Sequence, residues 1–209
     1  MSRPDPVSQP DDQPQQAQPP PHFRAVDPAT FEYADVERDG KLYSVKLRPA
    51  CRVQTPAVAL TAALVDDDGD PLPFASLAVS GHFAAFVRKV EAAVLDACLA
   101  NKAAWFRKDL DDDVLRAGFK SFLRPNGTLK LKVPEDVAVF DADKTLVAPG
   151  DVPAGTQVRA IIELAKVSFG KTEFGAMWRL VQVRALATPQ CLIEDDAGDV
   201  PASDDDDFM

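Results

Sequence analysis

A mainly β domain (α+β minor), a small closed β-barrel carrying one or two inserted helices, is what this 209-residue sequence predicts, on three observations. Short alternating apolar and polar segments recur along the middle of the chain between Gly, Pro and Asn turn signals. One stretch, residues 82 to 100, changes to apolar spacings of three and four, the period of a helix. The two ends differ in composition from everything between them. Residues 1 to 22 hold seven Pro and five Gln, a low-complexity arm that cannot build a core and is expected to be disordered. Residues 194 to 209 hold eight Asp and Glu and no Lys or Arg, a tail with no apolar face to offset the entropy of ordering, also expected to be disordered. The division is an arm at 1–22, one domain at 23–193 and a tail at 194–209. A single domain suffices, because a chain of about 150 residues already hides about 70% of its surface.

The elements follow in order. Phe31 and Tyr33 open a strand, and Leu42 to Leu47 alternates through Tyr43, Val45 and Leu47 on one side, with an Asp39-Gly40 hairpin turn between the two. Arg52 to Leu60 reads as a strand whose Pro56 places it at an edge or a bulge. Asp66, Asp67, Asp68, Gly69 and Asp70 form an acidic turn. A calcium loop would need acids at alternate positions before the Gly and a Glu six residues after it, where Leu64 and Ala75 stand. In the helix, Phe83, Phe86, Val87, Val90, Val94 and Cys98 form one stripe, with Ser80 near its cap. A shorter helix is expected from Asp111 to Gly118, with acids in its first turn, where the helix dipole favours them. Asn126-Gly127 marks a hairpin leading into Thr128 to Val133, whose Leu129, Leu131 and Val133 face one way and Lys130 and Lys132 the other. Val137 to Phe140 and Thr145 to Val147 pair around a tight turn. Thr156 to Ser168 and Met177 to Leu186 are the longest strands, giving seven or eight in all. This pattern suits a closed barrel better than a parallel α/β sheet.

The net charge of −10 would ordinarily exclude a nucleic-acid binder, because phosphate contacts need Lys and Arg. Its distribution changes that inference. The arm and the tail hold the excess, and residues 23 to 193 carry 22 basic and 22 acidic side chains. Residues 102 to 132 hold eight basic residues against four Asp, and 41 to 52 hold Lys41, Lys46, Arg48 and Arg52 with no acid. Three scattered cysteines, Cys51, Cys98 and Cys191, and two histidines give neither a disulfide framework nor a zinc pattern, and point to a reduced, intracellular setting. No apolar run reaches the roughly 20 residues that span a bilayer, and the polar start is unlike a signal peptide. No membrane partner, metal or other cofactor is called for.

Two constellations could carry chemistry. Val137 to Val147, VAVFDADKTLV, fits the strand-end signature of haloacid-dehalogenase-like phosphohydrolases, in which Asp141 would attack phosphorus, Asp143 would serve as general acid/base and Mg²⁺ would neutralise the phosphate. That chemistry needs a doubly wound sheet and a helix after the motif, whereas Pro149, Gly150, Pro153 and Gly155 follow here. A tight turn between two barrel strands is the favoured reading, and the chain is expected not to be an enzyme. The second constellation interleaves aromatics with cations. Trp105 lies near Lys102, Arg107 and Lys108; Lys120 and Arg124 lie among Phe119 and Phe122; Phe169 and Phe174 bracket Lys171; Trp178 precedes Arg179. A single strand presents phosphates, which want cations, and unpaired bases, which want flat π faces. Lys102, Arg107, Lys108, Lys120, Arg124, Lys130, Lys132, Lys171 and Arg179 are the candidate phosphate contacts. Most of the aromatics could equally be core. Trp105, Phe169 and Phe174, at element ends or in a loop, are the ones expected to be exposed and to stack bases, with Trp178 a fourth candidate.

The segments VQTP (Val53 to Pro56), the WF pair (Trp105, Phe106), FKSFLRPNGTLKLKV (Phe119 to Val133) and VRAIIELAKVSFGKTEFGAMWRLVQVRAL (Val158 to Leu186) resemble the single-stranded-DNA-binding proteins of nucleocytoplasmic large DNA viruses, which are similar to phage replication proteins with an acidic, aromatic-ended tail. The resemblance implies an OB-fold-like closed barrel and sequence-tolerant binding of single-stranded DNA in viral replication, recombination or repair. It also implies a tail, Asp204, Asp205, Asp206, Asp207 and Phe208, that meets polymerase or helicase/primase partners; as a tethered acidic ligand the tail is expected to compete with DNA for its groove, with a purely solubilising tail as the alternative. The site of action would be a viral replication site in the host nucleus or a cytoplasmic factory, with packaging in the virion and a homodimer left open. The chain departs from the pattern by ending Phe208-Met209 and not on the aromatic. A virion or scaffold module that binds protein through the same barrel is the alternative.

Overall fold

A computed structural model describes residues 19–39, 42–106, 110–170 and 173–187. The arm up to residue 18, Arg107, Lys108, Lys171, the whole acidic tail and the Asp39-Gly40 turn's Gly40 lie outside the described residues. Eight strands and three α-helices appear among them, in the order β1 (Glu32–Asp39), β2 (Leu42–Gln54), β3 (Val58–Leu60), β4 (Phe74–Ala78), α1 (Gly81–Ala100), α2 (Lys102–Phe106), α3 (Asp112–Gly118), β5 (Thr128–Lys132), β6 (Ala138–Phe140), β7 (Gln157–Phe169) and β8 (Phe174–Ala185).

Five of the strands close on themselves. β3, β4 and β5 are antiparallel neighbours, β5 runs parallel to β8, β8 is antiparallel to β7, and β7 returns to β3. An antiparallel meander followed by a hairpin and sealed by one parallel pairing is the OB-like barrel. β2 continues along the same edge of β7 as β3 does, and β1 flanks β2, so the sheet extends beyond the barrel. The expected strand from Arg52 to Leu60 is broken at Thr55–Ala57, because Pro56 has no N–H to give. Thr55 carries the break: its N–H donates to the Ala160 carbonyl at 2.8 Å, and its buried Oγ1 accepts from the Ala160 N–H at 2.9 Å.

Strand alternation sorts the side chains. On β7, Val158, Ala160, Ile162 and Leu164 are buried, and so are Leu129 and Leu131 on β5 and Trp178 and Leu180 on β8. The expected stripe of α1, from Phe83 to Cys98, is buried with them, each large side chain contributing about 1.5–3 kcal/mol by leaving water. Glu91 on the same helix ties down the segment that leads into β5, its Oε1 accepting from Ser121 Oγ (2.6 Å), Phe122 N–H (2.5 Å) and Leu123 N–H (3.1 Å). Gly127, at φ 76°, makes the expected turn before β5. The end of the arm is not free: Pro21 O accepts from Gln54 N–H at 3.1 Å, and Phe23 is buried against Phe83, ring centroids 5.0 Å apart.

The motif at Asp141 is a turn on the edge strand β6. Asp141 Oδ1 accepts from the Thr145 N–H at 2.8 Å, and the Asp141 N–H donates to the Thr145 carbonyl at 3.0 Å. The doubly wound sheet that the phosphohydrolase reading requires is not this fold. In the acidic turn, Asp66 Oδ1 accepts from the Asp68 and Asp70 N–H groups, which is local turn chemistry. Among the described residues no three His, Cys, Asp or Glu gather as a metal site, and no helix is long and apolar enough to cross a membrane.

Candidate nucleic-acid interface

The aromatic half of the expected site is core. Trp105, Phe169, Phe174 and Trp178 are 7%, 5%, 6% and 0% exposed, which corrects the expectation that the first three are exposed. Phe169 and Phe174 are cross-strand partners at the mouth of the β7–β8 hairpin, on the inward parity of both strands. With Trp105, Phe106 and Phe119 they form a chain of ring contacts 4.9 to 5.9 Å long, Trp105–Phe169, Phe106–Phe169, Phe106–Phe174 and Phe119–Phe174. Trp178 lies opposite Leu131 and Leu164.

The cationic half divides. Lys102 pairs with Asp112 at 3.0 Å between α2 and α3, and Arg124 sits exposed at the turn before β5. Lys120, Lys130, Lys132 and Arg179 do come together, on the outer surface of the barrel. Their meeting is fixed by register. Phe74 pairs with Lys132, Lys132 with Arg179, Arg179 with Glu163 and Glu163 with Arg52, so five strands, β4, β5, β8, β7 and β2, present one row of outward side chains. Phe74 is 37% exposed and carries the Lys130 ammonium 3.6 Å from its ring centroid, a cation–π contact.

Glu163 stands in the middle of the row, 6% exposed. Its Oε2 accepts from Arg52 Nε at 2.9 Å and Nη2 at 2.5 Å, and its Oε1 from Arg179 Nη2 at 2.8 Å. A carboxylate this buried is tolerated because two guanidinium groups satisfy it. Arg52 and Arg179 remain about half exposed.

Beside the row lies a groove of about 880 Å³. Register shifts on β7 between Leu164 and Val167 bend the strand, and small residues, Ala165, Gly175 and Ala176, hollow its floor, with Met177 and Leu42 as exposed apolar walls. Lys132, Arg179, Lys166 and Lys120 line it against two carboxylates, Glu163 and Glu173. Lys120 is brought there because residues 119–120 run against the start of β8, with the Lys120 N–H donating to the Phe174 carbonyl at 2.8 Å. Gly175 permits that approach, since a Cβ there would stand 3.0 Å from the Lys120 carbonyl oxygen. Lys120 Nζ then meets Glu173 at 2.8 Å on the rim. Phe74, Met177, Leu42, Arg52 and Lys166 were not among the site residues read from the sequence. The outward parity of Met177, two residues before Arg179 on the same strand, was the signal available.

The model for the Family of unknown function (DUF5871) matches residues 74–196, a span that runs from β4 through β8 and holds more than half of the chain. The chain belongs to that family. The DUF5871 span contains every strand that builds the groove except β2. No curated protein matches the sequence. Solved structures similar to it include the single-stranded DNA-binding protein of bacteriophage Enc34, at 10% identity, TM-score 0.48 and coverage of 83% of this chain and 98% of that one. The same protein in complex with single-stranded DNA matches at 10% identity and TM-score 0.46, covering 77% of this chain and 98% of that one. The single-stranded DNA-binding protein gp2.5 of bacteriophage T7 matches at 13% identity and TM-score 0.40, covering 69% and 98%. Likenesses of this size bear on neither ligands nor residue roles.

Proposed function

We propose that this chain binds single-stranded DNA without sequence preference, on the outer face of the barrel. The observation that carries the reading is the groove itself: an apolar, concave floor beside a row of cations that strand register holds in line. Unpaired bases have flat apolar faces to lay on Met177, Leu42 and Phe74, while Lys132, Arg179, Lys120 and Lys130 meet the phosphates. A duplex offers phosphates alone to such a surface, because its bases are stacked away.

The reading extends, on the family resemblance drawn from the sequence, to a viral replication, recombination or repair role. In that role Asp204 to Phe208 engage a polymerase or helicase/primase and compete with DNA for the groove. The test is a fluorescence-polarisation titration of labelled single and double strands across salt. Single strands should bind tighter, with log K falling by about 0.7 per phosphate contact for each tenfold rise in salt. Equal affinity for the two forms would overturn the proposal.

A further inference from the structure

Four residues along β7 from Glu163, about 13 Å at 3.3 Å per residue, the outward face carries a second cationic cluster. Arg159 of β7 and Arg184 of β8 are direct cross-strand partners. Lys144 enters the same pocket, of about 340 Å³, from the turn after β6, and Gln54, Gln182 and Phe140 complete its walls. Like charges directly opposite one another on antiparallel strands are destabilising. In the neighbouring row each arginine, Arg52 and Arg179, stands opposite the carboxylate of Glu163. Here no carboxylate lines the pocket, and among the described residues none pairs with Arg159, Arg184 or Lys144. Lys144 is also held in left-handed backbone, φ 68°, a conformation that costs free energy for a residue with a long side chain and that concentrates at ligand-binding positions.

We propose that this pocket is a second phosphate subsite, which takes a phosphodiester of the same single strand that lies in the groove. A bound strand then crosses the barrel face from Lys132 and Arg179 to Arg159 and Arg184. The amides of Gln54 and Gln182 offer donors to phosphate oxygens or base edges, and the Phe140 ring offers a face for a base. This inference rests on the single-strand reading above, and the test separates the two.

Labelled oligothymidylates of about 6 and about 16 nucleotides, within the range one OB fold covers, are titrated with the full chain and with two double variants. The first, Arg159→Ala with Arg184→Ala, empties the pocket of guanidinium. The second, Lys130→Ala with Lys132→Ala, weakens the groove. The pocket variant should bind the short strand within about twofold of the parent and the long strand about fivefold more weakly, with a salt slope shallower by about 0.7, the worth of one phosphate contact. Arg159→Lys with Arg184→Lys should restore most of the loss, which separates missing charge from misfolding. Unchanged binding of the long strand by the pocket variant, while the groove variant weakens, overturns the subsite and leaves the groove standing. No dependence on strand length marks a site for free phosphate only and overturns it too. An increase in affinity in the pocket variant that disappears when Asp204 to Asp207 are replaced by Asn would give the pocket to the chain's own acidic end. Failure of the parent to bind either strand overturns the single-strand reading itself.

Discussion

Replacing Glu163 by Gln should weaken the fold and strengthen DNA binding at once. The carboxylate is nearly buried and accepts three hydrogen bonds from two arginines. Gln keeps its shape but is neutral, and turns one acceptor into an N–H₂ that faces a guanidinium. Losing hydrogen bonds to charged groups costs about 1.5–3 kcal/mol each when they are buried. Arg52 and Arg179 are 49% and 48% exposed, so water takes over much of their solvation. A net destabilisation of about 1–3 kcal/mol follows, and the melting midpoint should fall by about 2–4 °C per kcal/mol for a domain of this size. Binding moves the other way, because two guanidinium groups lose the anion they now share. If each takes up one phosphate, the salt slope steepens by about 1.4 and affinity at 0.1 M salt rises about 5-fold per contact, up to about 25-fold. Differential scanning calorimetry and polarisation titrations on the same preparation read both effects. A fall in DNA affinity alongside the fall in stability would refute this reasoning and make Glu163 a clamp that pre-aims the arginines.

Phe74→Ala should cost about 1–3 kcal/mol of single-strand affinity, the worth of one stacked base, and about 1–2 kcal/mol of stability, because the ring is only 37% exposed and carries the Lys130 ammonium. Tryptophan emission should barely respond to DNA, since Trp105 and Trp178 are both buried; strong quenching on binding would place a tryptophan in the groove and contradict this structure. Trp178→Phe should change stability little, because the buried Nε1 has no partner to lose, whereas Trp178→Ala should cost about 3–5 kcal/mol in a chemical-denaturation curve. Burial pushes the thiols of Cys51 and Cys98 up from 9.0 to about 12. The unfolded chain therefore releases these protons first, and stability should fall as pH rises from about 9 toward 12. A Cys51→Ala, Cys98→Ala variant should show a flatter alkaline melting profile.

The sequence made the barrel legible because its strands are half-buried. Leu129 and Leu131 against Lys130 and Lys132, and the long alternation through β7 and β8, give both element type and inner face, and the α1 stripe from Phe83 to Cys98 is buried as its spacing requires. β4 was not legible. Phe74–Ala78 is five residues directly after the turn-rich PLP of residues 71 to 73, too short to show a period. The aromatic site failed for a related reason. Ending one strand at Ser168 and opening the next at Met177 left Phe169 and Phe174 in a loop, but the ladder continues to both, and one or three residues decide between surface and core when the period is two. The Arg52–Glu163–Arg179 junction was out of reach altogether. Three segments distant in sequence meet there in a register set by bulges between Lys46 and Cys51, Ile161 and Ile162, and Leu164 and Val167, and no local pattern announces a bulge.

Charge shows why placement outranks composition in this chain. The net of −10 is summed over charges most of which lie farther from a bound phosphate than the Debye length, about 8–10 Å in physiological salt, and beyond that distance they are largely screened. Within it, the groove's lining sets four cations against two carboxylates, and both carboxylates are already held by cations, Glu163 by arginines and Glu173 by Lys120. On the proposal that the acids of residues 194 to 209 compete with DNA for the groove, salt weakens that competition as it weakens binding. Neutralising Asp204 to Asp207 should therefore tighten single-strand binding most at low salt and hardly at all at high salt. A uniform gain at every salt concentration would show that those acids do not act electrostatically and would refute competition by charge.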